Sequence, residues 1–190
     1  MEEPPLHRKG GAAQGRNRRQ KTDELLKEGK IRSLPEKPED TGDASMPFAR
    51  THRLTTRGAK TMMAAAIAKA EEFGIPVTVA IADAGGHLVL LERMDGGRFH
   101  TVHSSTTKAV CSASNKRPTT TQGAQAQHLD TAHALGLALA AGPERWTAME
   151  GGFPILYEGE CLGGIGVSGG DWEQDEAIAR VAVEAVGASF

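Results

Sequence analysis

Cysteine is scarce in this chain of 190 residues: Cys111 and Cys161 are the only two. Neither belongs to a C-x-x-C pair or a Cys/His framework, which argues against a disulfide scaffold or a structural zinc site and for a reducing compartment. A dominant charge is lacking as well. The formal net charge of −2 gives no electrostatic reason to expect a nucleic acid or an acidic substrate. No apolar run approaches the roughly 20 residues of a membrane-spanning helix. The basic N-terminal segment MEEPPLHRKGGAAQGRNRRQ has no apolar stretch behind it, so a soluble, cytoplasmic protein without a membrane partner is expected. Catalytic signatures are missing too, since no G-x-S-x-G, H-E-x-x-H or kinase-like pattern occurs. What is present is a hydrophobic content of 39%, enough for a single core.

The chain divides near residue 47. Residues 1–46 carry Pro4, Pro5, Pro35 and Pro38, several glycines and mixed charges, with too few large apolar side chains to offset the entropy of ordering. They read as a flexible, disordered arm, with a short helix over KTDELLKEGK (21–30). The acid-free basic stretch 8–21 has a second reading, as an arm that meets an anionic partner or serves in targeting. Residues 47–190 are patterned differently. Thr55 or Thr56 can cap a helix whose Met62, Met63, Ala66, Ile67 and Ala70 share one face and which stops at Gly74. Runs at 77–82 and 87–92 predict a hairpin around the Asp83-Ala-Gly-Gly turn. A helix over 101–114 and a looser one over 119–141 follow. FPILYEGECLGGIGVSGG then predicts two strands joined at Glu158-Gly159. Asp171 and Gln174 predict a capping box on a last helix, with Ile178, Val181, Ala182, Ala185 and Val186 as its buried stripe. Hairpins imply antiparallel strands, so this order predicts an α+β fold with helices flanking an antiparallel sheet.

Gly164, Gly166 and Gly169 form a literal G-x-G-x-x-G. A dinucleotide fold needs that loop inside a βαβ unit with an acidic residue about 20 positions on. Only 190 − 169 = 21 residues follow Gly169, too few for a helix and a second parallel strand, and no Gly-Lys-Ser/Thr follows to make a phosphate loop. Two readings stay open for these glycines. Gly163, Gly164 and Gly166 leave a strand bare where a helix or a flat ligand can approach, and the N–H groups at Ser168, Gly169 and Gly170 suit a carboxylate. Alternatively they serve only close helix packing and a tight turn.

The runs AIADAGGHLVLLERMDGG, TTKAVCSASNKRPT and MEGGFPILYEGECLGGIGVSGGDWEQDEAIARVAVEAV together resemble the GlcG/HbpS-like family of haem-binding, haem-degrading proteins, from about Thr55 to Ala188. The same domain forms the C-terminal part of some cobalamin adenosyltransferases. The resemblance implies a five-stranded antiparallel sheet flanked by helices, a profilin-like α/β/α sandwich, over residues 47–190. It also implies homo-oligomers from dimer to octamer, and binding of haem or a related small molecule in haem sensing or breakdown. Residues 1–46 have no counterpart in the family's common domain.

A haem site needs an iron ligand, an apolar slot and cations for the propionates. His100 and His103 share a helical face, and Cys111 lies two turns beyond His103. Cys111 also stands where the family's Lys-Ala-x-Thr pattern often has Thr, a position associated with haem contact. Cys111 or His103 is therefore the expected iron ligand. The alternatives are an ordinary buried cysteine, and a His100–His103 pair holding a transition metal with Asp95. Lys108 and Arg93 are the cations expected to meet haem propionates or a substrate carboxylate, or else to pair with Asp95 or Glu173 across a subunit interface. Gly169 and Gly170 offer their N–H groups to the same ligand. Asp83 is expected to cap its own turn and His87 to be structural, while His128 and His133 read as surface residues. Glu150, Glu173 and Asp175 are carboxylates that nothing in the sequence pairs, so no catalytic residue is assigned. The leading reading is an oligomeric haem- or small-molecule-binding protein, its pocket between the glycine-rich strand, the Lys108 helix and a neighbouring subunit. One alternative is a catabolic-pathway enzyme that binds a small organic acid or aromatic carboxylate through Arg93 and Lys108. Another is a structural protein that docks by its arm.

Overall fold

Helix α1 (Thr56–Phe73) begins where Thr55, in extended backbone, accepts a hydrogen bond from the Gly58 N–H through its hydroxyl. It ends where Gly74 adopts the left-handed conformation at φ 67°. The structure is a computed structural model and describes residues 47–190. The arm expected over 1–46 and the helix expected over 21–30 lie outside the described residues. Strands β1 (Thr78–Asp83) and β2 (Leu88–Arg93) form the first hairpin, helices α2 (Thr101–Asn115) and α3 (Thr131–Ala141) follow, and β3 (Gly152–Tyr157) and β4 (Glu160–Ser168) form the second hairpin before helix α4 (Trp172–Glu184). Glu158 and Gly159 both have positive φ, 48° and 80°, the backbone that a two-residue hairpin turn requires.

Among the described residues the sheet has four strands, all antiparallel, in the order β2-β1-β4-β3. The expectation of five is corrected at the outer edge of β3. Among the described residues that edge meets Thr119, whose N–H donates to the Gly152 carbonyl and whose hydroxyl accepts the Gly152 N–H, each at 2.9 Å, and Ser189, which exchanges a pair of bonds with Leu156 at 2.8 Å. Between them stands Pro154, which has no N–H to donate, so a further strand cannot be laddered there. The same arrangement blunts the edge against pairing with other chains.

Each face of the sheet is covered by different chemistry. Val77, Val79, Ile81, Ile165 and Val167 point to one side with Phe153 and Ile155, where α1 and α4 bury Met62, Met63, Ala66, Ile178 and Val183. The opposite side holds Ala80, Ala82 and the glycines of β4, and α2 lies on it. The α4 stripe runs through Ile178, Ala179, Ala182 and Val183; the expected Val181 and Val186 are half-buried and Ala185 is exposed, because the helix ends at Glu184. The capping box of Asp171 with Gln174 is present.

The looser helix expected over 119–141 is helical only over Thr131–Ala141. Asp130 sets its start by accepting the His133 N–H at 2.8 Å. Before it, Arg117 donates to the Gly123 carbonyl, Gln122 bridges His128, and Ala126 takes a positive φ of 60°, an irregular backbone that no helix can share.

The glycines of β4 carry the contact with α2. A Cβ on Gly166 would run into the Ser105 carbonyl and, 2.6 Å away, the Ala109 amide; one on Gly164 would run into the Ala109 carbonyl and, 2.8 Å away, the Ala113 amide. Helix backbone thus rests directly on strand backbone. Gly164→Ala and Gly166→Ala should each destabilise by about 3 kcal/mol or more, since rigid main chain cannot yield. Gly136→Ala, in an open part of α3, should be neutral or stabilise by up to about 1 kcal/mol. Chemical denaturation curves of the three variants check this.

Candidate functional site

The buried polar centre of the molecule is built from α2, β4 and α4. Lys108 and Asp175 are each 4% exposed, and the Lys108 ammonium lies 2.8 Å from Asp175 Oδ2. The same ammonium donates to the Val167 carbonyl at 2.7 Å. Asp175 Oδ1 accepts the Gly170 N–H at 3.0 Å. Burial pushes the Asp175 carboxyl up, and the Lys108 ammonium draws it back. Gly151, at φ 96°, passes between them where a Cβ would come within 2.7 Å of Asp175 and 3.1 Å of the ammonium.

This clamp answers the question the glycine motif raised. The N–H of Gly170 does serve a carboxylate, and that carboxylate is the chain's own Asp175. The Gly169 carbonyl accepts from Arg98 at 2.9 Å, and a Cβ on Gly169 would meet the Pro76 carbonyl at 2.6 Å. Close packing and a tight turn account for both glycines. Lys108, expected to meet a ligand or a neighbour's Asp95 or Glu173, pairs instead within its own chain. Asp175 was a carboxylate without a partner in the sequence; extending the α4 stripe one turn back from Ile178 lands on it.

The other expected site residues do not converge. Arg93 is exposed at the end of β2, its stem folded over Gly97, and among the described residues it pairs with neither Asp95 nor Glu173. His100 and His103 are both exposed, and His100 packs edge-on against Phe99. Cys111 is 1% exposed; its sulfur lies 3.5 Å from the Thr147 carbonyl and 3.4 Å from the Asn115 amide nitrogen. Burial pushes the Cys111 thiol up, away from the thiolate that binds metals. Among the described residues no group of three His, Cys, Asp or Glu side chains is placed to hold a metal ion.

A groove of about 690 Å³ opens beside α2, between the Asp83–His87 turn and the segment that follows α3. Its volume falls in the range of small-molecule and cofactor sites. Val110 and Trp146 supply apolar surface; Thr106 and Ser114 supply hydroxyls; His87 and Arg145 supply an imidazole and a cation, with Glu144 beside them. The Asp83 carboxylate holds the turn by accepting the N–H groups of Gly85 and His87, each at 2.9 Å. Those bonds, that of His87 above all, keep its carboxyl below the ordinary range. Asp83 thus caps its turn as the sequence predicted. Arg145 and Trp146 carry no sequence signal, being single residues in an irregular segment that only the tertiary fold brings to α2.

Two helices on one face of an antiparallel sheet and a third on backbone-bare glycines, with a groove beside it, define an α+β class of domain. Comparison with known proteins narrows this. Residues 54–184 match the family model described as haem degrading protein HbpS-like, and the chain belongs to that family. It is 33% identical over 133 residues to an uncharacterised 15.0 kDa protein in the dhaT-dhaS intergenic region of Citrobacter freundii, covering 69% of this chain and 90% of that one. Among solved structures it is similar to the Klebsiella pneumoniae protein ORFY, with a TM-score of 0.65 and 30% identity, covering 76% of this chain and 99% of that one. It is also similar to PduOC in a haem complex, with a TM-score of 0.64 and 28% identity, covering 73% of this chain and 98% of that one.

Removing one partner of a buried ion pair leaves an uncompensated charge. Lys108→Met and Asp175→Asn should each cost about 3–5 kcal/mol, while the double variant should cost less than their sum. A double-mutant cycle by urea denaturation reads this directly.

Proposed function

We propose that this protein binds haem, or a related planar molecule bearing carboxylates, and works as a cytoplasmic homo-oligomer in haem sensing or breakdown. The observation that carries the reading is the groove, which joins an aromatic wall at Trp146 to a cation at Arg145 within a volume of about 690 Å³. Its residues fit haem. Trp146 and Val110 face an apolar macrocycle, Arg145 suits a propionate, and an imidazole lies among the lining side chains. Bound haem would supply a redox-active iron; the chain's part is to bind it, exclude water from its face and fix its orientation. Family membership and the haem complex of the similar PduOC support the same reading.

Self-association is supported by α3. The helix has no Asp, Glu, Lys or Arg from Thr131 to Ala141, buries none of its residues, and leaves Leu139 69% exposed and Leu135 57% exposed. A helix apolar on every side belongs in an interior. A second copy of the same uncharged surface fits it, because a charged partner would find no complement there.

Titration of the purified chain with hemin should give a saturable one-to-one change in the Soret band, and Arg145→Ala should weaken it about tenfold, the loss expected from one charge-assisted bond. Leu135→Glu with Leu139→Glu should lower the mass measured by light scattering while leaving the circular dichroism spectrum intact.

A further inference from the structure

The groove holds an imidazole whose geometry has a consequence of its own. His87 Nδ1 lies 3.2 Å from Asp83 Oδ1, on the carboxylate that already accepts two backbone N–H groups. That carboxylate is anchored by its turn, and its lowered proton affinity keeps it ionised at neutral pH. An ionised Asp83 can only accept, so the proton of a neutral His87 ring sits on Nδ1 and the lone pair is on Nε2. Nε2 has no partner among the described residues, and the His87 side chain is 82% exposed, while the residue lines the groove. A carboxylate–imidazole pair with its second nitrogen open is the arrangement that presents histidine to a metal, fixing the tautomer and raising the basicity of the ligating nitrogen. Cys111 and His103 lack this setting: the first is buried and bonded to Thr147, and neither lines the groove.

We propose that His87, oriented by Asp83, is the iron-ligating residue of the groove, with Arg145 holding an anionic side group of the same ligand. The ligand class is a tetrapyrrole carrying a metal that accepts an imidazole, distinguished from a metal-free ring by the bond to His87 Nε2. This rests on the haem-binding reading above. His87 donates its own backbone N–H to Asp83 whatever its side chain, so replacing the imidazole leaves the hairpin in place.

The test titrates the full chain with hemin and, in parallel, with metal-free protoporphyrin IX. The wild-type chain should prefer hemin by about 10- to 100-fold and show the spectrum of imidazole-ligated iron. His87→Ala should abolish that preference and that spectrum, and added imidazole should restore the spectrum. Arg145→Ala should weaken both porphyrins alike without moving the Soret maximum. Asp83→Asn should keep ligation but raise the reduction potential of the bound iron, because a less basic imidazole stabilises the ferric state less. If the wild-type chain binds hemin and His87→Ala matches it in spectrum and in preference over the metal-free ring, the assignment to His87 is overturned while the haem-binding reading stands. If the wild-type chain binds neither porphyrin, both fall.

Discussion

Helix α2 lies on the bare backbone of β4, and the rest of the molecule is arranged around that contact. Gly164 and Gly166 bring the carbonyls of Ser105 and Ala109 onto the strand, closer than any side chain would permit. Such a contact has little apolar area to hold it, so polar bonds fasten it. Ser104 and Ser168 meet through their hydroxyls at 2.7 Å, Thr78 and Thr101 at 2.6 Å, and the Lys108 ammonium spans from α2 to the Val167 carbonyl and Asp175. Every polar atom in this layer needs its partner, because water is excluded. Among the described residues, no buried side-chain nitrogen or oxygen lacks one.

The two faces of the sheet therefore hold by different means. Against α1 and α4 the interface is thick and apolar, and volume can be redistributed among Met62, Met63, Phe153 and Ile178 at moderate cost. Against α2 there is no slack. The rigid side also positions the groove: Thr106 and Val110 project from the same helix that Ser105 and Ala109 seat on β4, so the wall of the groove inherits the precision of that seat. Helix α3, which leads into the opposite wall, packs on no other helix or strand among the described residues, and its Leu135 and Leu139 stay exposed.

Much of this was legible in residue patterns. Thr55, Gly74 and Asp171 mark helix ends because a hydroxyl, a missing Cβ or a carboxylate meets a local backbone need. The Asp83-Ala-Gly-Gly turn between the runs 77–82 and 87–92 and the Glu158-Gly159 pair set the hairpins for the same local reason. The candidate site was legible only in part. Lys108 stood out as a cation and Gly170 as an N–H donor, but the Asp175 they share lies 67 residues from Lys108 on another helix, and no sequence spacing joins that pair.

What the sequence by itself determined is the order of elements, their caps and turns, and the family, since each depends on contacts within a few residues or on a colinear pattern. Only the tertiary structure decided that the glycine-rich turn grips an internal carboxylate and that Cys111 is shut in. It alone showed that His87, Arg145 and Trp146 share a groove, and that β3 ends the sheet beside Pro154. Those outcomes depend on which surfaces meet across the sheet, and packing sets that between residues tens of positions apart.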